Sequence, residues 1–239
     1  MNRLSSVKSQ SLRKTLILSG TTKTAFQTLM ASKVPWAQYS ASNWSGTTLT
    51  DMTGNGRNAV TSNLTLASGS GNGATATIPY LDGSGTSSID FPTGSSPASY
   101  SICFIMRQTV PSVAALLQTT GGNNTALHGF WTGNRGVDYN INWTTSTSGV
   151  GVQLNWLNHC TSTYAAYPAN ILVDGVASGI AVNVAKVGSL TINGALQSWS
   201  GKSAFQFSQL IIWDQALLPS ELATVSNALK TYLSTGVLQ

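Results

Sequence analysis

Charge is what this 239-residue chain has least of. Asp, Glu, Lys and Arg make up 8% of it, against roughly 25% in ordinary globular proteins. Glutamate occurs once, at Glu221, and histidine and cysteine twice each, at His128, His159, Cys103 and Cys160. Each shortage removes a class. A helical bundle needs Glu, Lys and Arg along its wet faces, and they are missing. The two cysteines and two histidines lack the close Cys–Cys and His–His spacing of a Cys/His zinc centre. No Gly-x-x-x-x-Gly-Lys sequence is present to cradle a phosphate. No apolar stretch approaches the ~18 residues of a membrane-spanning helix. The only apolar run near the start, Thr15-Leu16-Ile17-Leu18, is shorter than the ~7–15 residues of a signal-peptide core. Cys103 and Cys160 each sit in an apolar, strand-like run, which reads as two buried free thiols; a disulfide between them stays open.

The few charges are unevenly placed. Arg3, Lys8, Arg13, Lys14, Lys23 and Lys33 fall in the first 33 residues with no acid among them, and the remainder carries six basic against seven acidic residues. The basic character belongs to an N-terminal arm. Spread charges without interleaved aromatics argue against specific nucleic-acid recognition and for a solvated or partner-docked tail. The organisation is therefore residues 1–34, the arm with a short helix, and 35–239, a single domain.

Hydrophobic periodicity supports that division. Phe26, Leu29 and Met30 share one face of a helix that Thr22 would cap and that ends before Pro35. From Trp36 to about Phe207, short apolar or alternating runs are separated by Asn55-Gly56, Gly69-Ser70-Gly71-Asn72-Gly73, Gly83-Ser84-Gly85, Gly121-Gly122-Asn123-Asn124 and Asp174-Gly175. That pattern means an antiparallel sandwich or barrel. Ser101 to Arg107 is apolar on both faces and reads as a central strand. Ile171 to Val176 reads as a hairpin turning at Asp174-Gly175, and Phe205 to Trp213 as another strand. Pro219 opens a last helix, Leu222, Val225, Leu229 and Leu233 line its buried face, and Gly236 ends it.

Three pieces carry a family resemblance: Trp36 to Ala59, with Asp51 ahead of Gly54-Asn55-Gly56; Ile171-Leu172-Val173-Asp174-Gly175; and Leu210 to Leu222, which reads LIIWDQALLPSEL. In this order they resemble the laminin-G-like branch of the concanavalin A-like lectin/glucanase fold, over about residues 36–235. The resemblance implies an all-β, two-sheet antiparallel jelly-roll sandwich with a short N-terminal and a C-terminal helix. The stretch His128 to Val137 is similar to versions of the domain in virion-associated proteins of large DNA viruses of algae. That implies a structural or interaction protein of a virion, made in the host cytoplasm and partnered by other subunits or by itself. Arg3, Lys8, Arg13, Lys14, Leu16, Ile17 and Leu18 would form its assembly tether, the apolar trio adding a strand to a partner's sheet edge.

Chemistry is sparse. Glycosidases of the same fold resemble one another in a Glu-x-Asp-x-x-Glu strand, because cleavage needs two carboxylates flanking the bond. This chain has no such strand. Asp82 and Asp90 bracket a turn-rich segment and are the only pair with a chance of meeting. A His159–Cys160 dyad fails because adjacent strand residues face opposite ways. The expectation is a non-enzyme with no cofactor. A Ca²⁺ site of laminin-G type would use Asp51 or Asp138 with backbone carbonyls. The second functional reading is a glycan-binding module. Its ligand residues would be His128, Trp131, Arg135, Asp138, Tyr139, Asn140 and Trp143, aromatic faces and polar groups crowded among glycines. Trp44 and Trp199 are weaker exposed aromatics.

Overall fold

The computed structural model describes residues 23–110, 112–119, 125–131, 134–140, 142–148, 154–163, 169–181, 188–194 and 201–239. Among the described residues fifteen strands lie between two helices, α1 (Ala25–Ser32) and α2 (Pro219–Thr235). They are β1 (Ala37–Ser40), β2 (Trp44–Ser45), β3 (Thr48–Leu49), β4 (Ala59–Gly71), β5 (Ala74–Asp90), β6 (Tyr100–Gln108), β7 (Ala114–Thr119), β8 (Thr125–Trp131), β9 (Asn134–Asn140), β10 (Asn142–Ser148), β11 (Leu157–Thr163), β12 (Ala169–Val173), β13 (Val176–Ala181), β14 (Leu190–Ile192) and β15 (Phe205–Trp213). All pair antiparallel in one curled sheet, in the order β10-β9-β8-β7-β14-β5-β15-β6-β11-β12-β13, with β1 on β15 and β3 and β4 continuing from β5. The curl lays one half of the sheet over the other, giving the expected β-sandwich.

The corner is turned by β5. Its Leu81–Gly83 segment pairs with Phe205–Phe207 of β15, whereas Ile89 and Asp90 pair with β14 in the other half. Between them the β4 register jumps from Ser62↔Ser88 to Leu64↔Gly83. The extra residues bulge out, and a bulge is how a strand bends from one sheet into another. Asn63 adopts a left-handed φ of 55°. The Ser87 hydroxyl donates to its carbonyl, and the Ser84 amide donates to Ser87 Oγ at 2.9 Å. The sequence reading of Gly83-Ser84-Gly85 as a break between strands is thus corrected, since β5 continues unbroken through it. Glycine is needed at 83 for close approach. A Cβ there would sit 2.7 Å from the Phe205 ring and 2.8 Å from a Leu64 methyl.

Two apolar layers hold the domain. Ile102, Phe104 and Met106 of β6 point between the sheets, where they meet Leu81, Ile89, Leu117 and Phe207. Cys103 and Ile105, the alternate residues, point outward beneath the helices with Ile211, Trp213, Leu222, Val225 and Leu229. This is why the strand is apolar on both faces, and it lies between β15 and β11 as a central strand should. In β15, Phe207 and Leu210 both face inward because the register slips between Phe207 and Gln209. Ser208, the displaced residue, donates to the Pro79 carbonyl at 2.7 Å and shares a 3.0 Å hydrogen bond with the Tyr232 hydroxyl.

The helices form for local reasons. Thr24 Oγ1 accepts from the Gln27 amide and Gln27 Oε1 accepts from the Thr24 amide, both at 3.1 Å, a reciprocal capping box. The cap is therefore Thr24, because it has Gln three residues on; Thr22 lies outside the described residues. In α2, Pro219 follows the cap, Glu221 Oε2 accepts from the Leu218 amide at 2.8 Å, and Gly236 ends the helix at φ 75°. Leu222, Val225, Leu229 and Leu233 are its buried face, as the spacing predicts. Each such side chain contributes about 1.5–3 kcal/mol by burial. A 2.7 Å ion pair, Lys33–Glu221, ties α1 to α2.

Candidate functional site

The segment expected to bind ligand runs through β8, β9 and β10, and two of its side chains are described. His128 and Arg135 both point between the sheets. His128 is wholly buried; its ring centroid is 6.3 Å from that of Phe104, which in turn stacks on His159 at 4.9 Å. His128 Nδ1 lies 3.4 Å from the Gly136 carbonyl. Burial, then the Arg135 charge, push the His128 pKa down to about 3, so the ring is neutral. No surface of it is open to a ligand. The backbone sets Tyr139 opposite Trp143, Trp131 opposite Asn134 and Asn140 opposite Asn142. The side chains of Trp131, Asp138, Tyr139, Asn140 and Trp143 are not among those described.

Arg135 leads out of this interior. It is 6% exposed, and its Nη2 lies 3.7 Å from Asp174 Oδ2 on the opposite half of the sheet. Asp174 begins the β12–β13 turn at φ 52° and Gly175 follows at φ 82°, the two left-handed positions of a two-residue hairpin. Asp174 Oδ1 accepts from the Asn158 amide at 3.0 Å. The carboxylate is thus fixed between an arginine behind it and solvent in front.

In front of it is a cleft of about 360 Å³, bounded by the β4–β5 turn, the start of β11, the β12–β13 turn and α2. Thr75, Asn155, Trp156, Asp174 and Lys230 line it. Trp156 is held rigidly. Its amide donates to the Asn72 carbonyl at 2.8 Å, Tyr80 packs at 5.7 Å, and the Arg107 guanidinium lies 5.3 Å from its ring. Asn158 Nδ2 donates to the Ser226 carbonyl at 2.8 Å, fastening β11 to α2 one turn before Lys230. Trp156 is 5% exposed, so the cleft meets only its edge, beside an exposed carboxylate, ammonium, amide and hydroxyl. Such a set can orient a small polar ligand. Sequence reasoning saw Asp174 only as a turn residue and passed over Trp156 and Lys230. The hairpin was readable, but not that His159↔Val173 pairing would bring its tip beside Asn158.

The other singled-out residues have structural partners. Asp51 accepts from the amides of Gln38, Thr53 and Arg57 at 3.1, 3.0 and 3.3 Å and from Thr53 Oγ1 at 2.7 Å. Burial would raise its pKa, but these hydrogen bonds outweigh burial and hold the carboxyl below its ordinary value. Its oxygens organise the Gly54–Gly56 turn. Among the described residues no three His, Cys, Asp or Glu side chains form a metal-sized group. Asp82 accepts from Gln206 Nε2 at 2.7 Å and Asp90 from Thr191 Oγ1 at 2.6 Å. The expectation that these two bracket a turn is corrected with that turn: they stand on either side of the β5 corner, each bound to a different strand. Trp44 is half-buried and donates to Thr61 Oγ1 at 2.8 Å. His159 faces Phe104 and Cys160 faces the helix layer, so they make no dyad. Trp199 and the arm residues Arg3, Lys8, Arg13, Lys14, Leu16, Ile17 and Leu18 lie outside the described residues.

No protein-family model and no curated protein matches the chain. Solved structures do share its fold. Domain 4 of an extracellular arabinanase from Geobacillus stearothermophilus, in complex with arabinotriose, aligns with a TM-score of 0.53 at 18% identity, over 78% of this chain and 95% of that one. Trypanosoma rangeli sialidase in complex with sialic acid aligns at 0.61 and 14%, over 83% of this chain and 33% of that one. A botulinum neurotoxin type C structure, whose cell entry depends on interaction with two ganglioside molecules, aligns at 0.54 and 12%, over 84% and 52%. The chain therefore spans nearly the whole arabinanase domain but about a third of the sialidase and half of the toxin chain. At these identities the likeness establishes the fold alone, a β-sandwich.

Proposed function

We propose that this domain is a non-catalytic glycan-binding module whose saccharide site is the cleft between Trp156 and Lys230. The cleft carries the reading: the exposed side chains of Asp174, Asn155, Thr75 and Lys230 suit the hydroxyls of a sugar, beside the edge of the immobilised Trp156. Like folds solved with arabinotriose and tied to gangliosides support it. The absence of catalysis is supported by the carboxylates described here. Glu221, the sole glutamate, is engaged by Lys33 and the Leu218 amide, and Asp51, Asp82 and Asp90 are held by neighbouring donors.

Glycan-array screening of the full chain, followed by calorimetry on the best ligand, tests the proposal. Asp174→Asn keeps a residue that tolerates the left-handed turn, and Lys230→Ala removes the ammonium. Each should weaken binding roughly tenfold, the worth of one hydrogen bond to a charged group. Unchanged affinity in both variants, or no glycan bound at all, would overturn it. A second, finer proposal is a virion component tethered to other subunits by the basic arm. It rests on the sequence resemblance and the charge of the first 33 residues, and it requires that deleting residues 1–20 abolish incorporation while the fold survives.

A further inference from the structure

Cys103 and Cys160 stand directly opposite each other on β6 and β11. Both are free and wholly buried. Opposed residues of antiparallel strands have Cα atoms about 4.5–5.5 Å apart, inside the roughly 4.4–6.8 Å that a disulfide spans. Their side chains share the outer apolar layer with Leu222, Val225 and Leu229 of α2. Burial, with Cys160 adding to it, pushes the Cys103 thiol well above its ordinary value. The thiolate, which is the reactive form, is therefore scarce while α2 is docked.

We propose that Cys103 and Cys160 are a redox couple covered by α2, closing to a cross-strand disulfide by exchange with a low-molecular-weight disulfide when the helix lifts. In the first step one cysteine thiolate attacks oxidised glutathione. The glutathione S–S bond breaks, a protein–glutathione S–S bond forms, and one glutathione leaves as thiolate and takes up the displaced proton. In the second step the other cysteine attacks the protein sulfur of that mixed disulfide and expels the second glutathione. The protein loses two electrons and two protons, and the oxidant becomes two thiols. The intermediate has no room under a docked helix, so the rate follows the opening of α2. The product joins β6 to β11, the strand that starts at the cleft. The inference stands apart from the glycan reading.

The experiment is incubation of the full chain with oxidised glutathione, followed by thiol counting after unfolding and by intact mass. Both thiols should disappear together, and the mass of the single chain should fall by two hydrogens with no disulfide between chains. Leu229→Ala, which removes a buried anchor of α2, should raise the rate about tenfold or more. Should that variant fail to fold, low urea on the wild-type chain supplies the same opening. Cys160→Ala should yield only a glutathione adduct. Two thiols persisting while α2 amides exchange with deuterium, or a final product that is a mixed disulfide or a dimer, would overturn the proposal.

Discussion

Replacing Gly83 with alanine adds one methyl group where the two sheets fold onto each other. That carbon would lie 2.7 Å from Phe205 Cε1, 2.9 Å from Phe205 Cζ and 2.8 Å from Leu64 Cδ2, against about 3.5–4.0 Å for carbon atoms in contact. Phe205 is wholly buried and pairs Gly83 itself across β5 and β15. Its ring must give by about 1 Å or the strands must part. Overpacking of this kind costs about 1–3 kcal/mol. Alanine also gains about 0.4–1 kcal/mol by restricting the unfolded chain, so the net expectation is a loss of about 1–2 kcal/mol. With a urea m-value of about 2–3 kcal/mol/M, the midpoint should fall by roughly 0.5 M. Gly85→Ala is the control. The nearest atom to its Cβ is the Lys202 carbonyl oxygen at 4.0 Å, so its midpoint should stay within the scatter of a surface change, about 0.5 kcal/mol. If Gly83→Ala proves as stable as the wild type, close approach is not what glycine supplies there, and the account of the corner is wrong.

Two groups that shape the pH dependence of stability are separable by variants. His128 is neutral in the fold with its pKa lowered from 6.5 to about 3, so only the unfolded chain takes up its proton in between; stability is fully present above about 6.5 and declines as pH falls, by up to about 1.4 kcal/mol per unit. His128→Phe should flatten that slope in urea titrations between about pH 6 and pH 4, and an unaltered slope would reject the assignment. Asp51 is lowered from 3.8, so its contribution is present above that value and lost as pH falls through its folded pKa. Asp51→Asn should remove this acid limb while leaving the slope from His128.

Much of the architecture was legible because apolar periodicity and turn chemistry agreed. Ile102 to Met106 had no polar face and became the strand with a core on each side. Asp174-Gly175 and Asn72-Gly73 announced their hairpins through the left-handed φ they can adopt. Pro219 and Gly236 bracketed α2. The misreading of Gly83-Ser84-Gly85 shows the limit of that logic: a glycine for tight packing and a glycine for a turn look alike until the partner, Phe205, is known. The site was harder still. Trp131, Arg135 and their neighbours were singled out because polar and aromatic residues crowd together in the sequence, yet Arg135 and His128 face inward. The cleft draws Thr75, Trp156, Asp174 and Lys230 from four distant parts of the chain, and only three-dimensional register unites them.

The pairing of β1 with β15 has a temporal meaning. Ser40 and Gln209, joined side chain to side chain, are 169 residues apart, and β15 also seats β5 and β6. During synthesis every earlier strand must wait for residues 205–213 before its sheet has a middle. Until then the long β4–β5 hairpin and β6 present unpaired edges and uncovered apolar faces. Closure of so large a loop comes late and sets the pace of folding. With charged residues only 8% of the chain, electrostatic repulsion does less than usual to keep copies apart during that wait, and crowding favours association of the unfinished sheet.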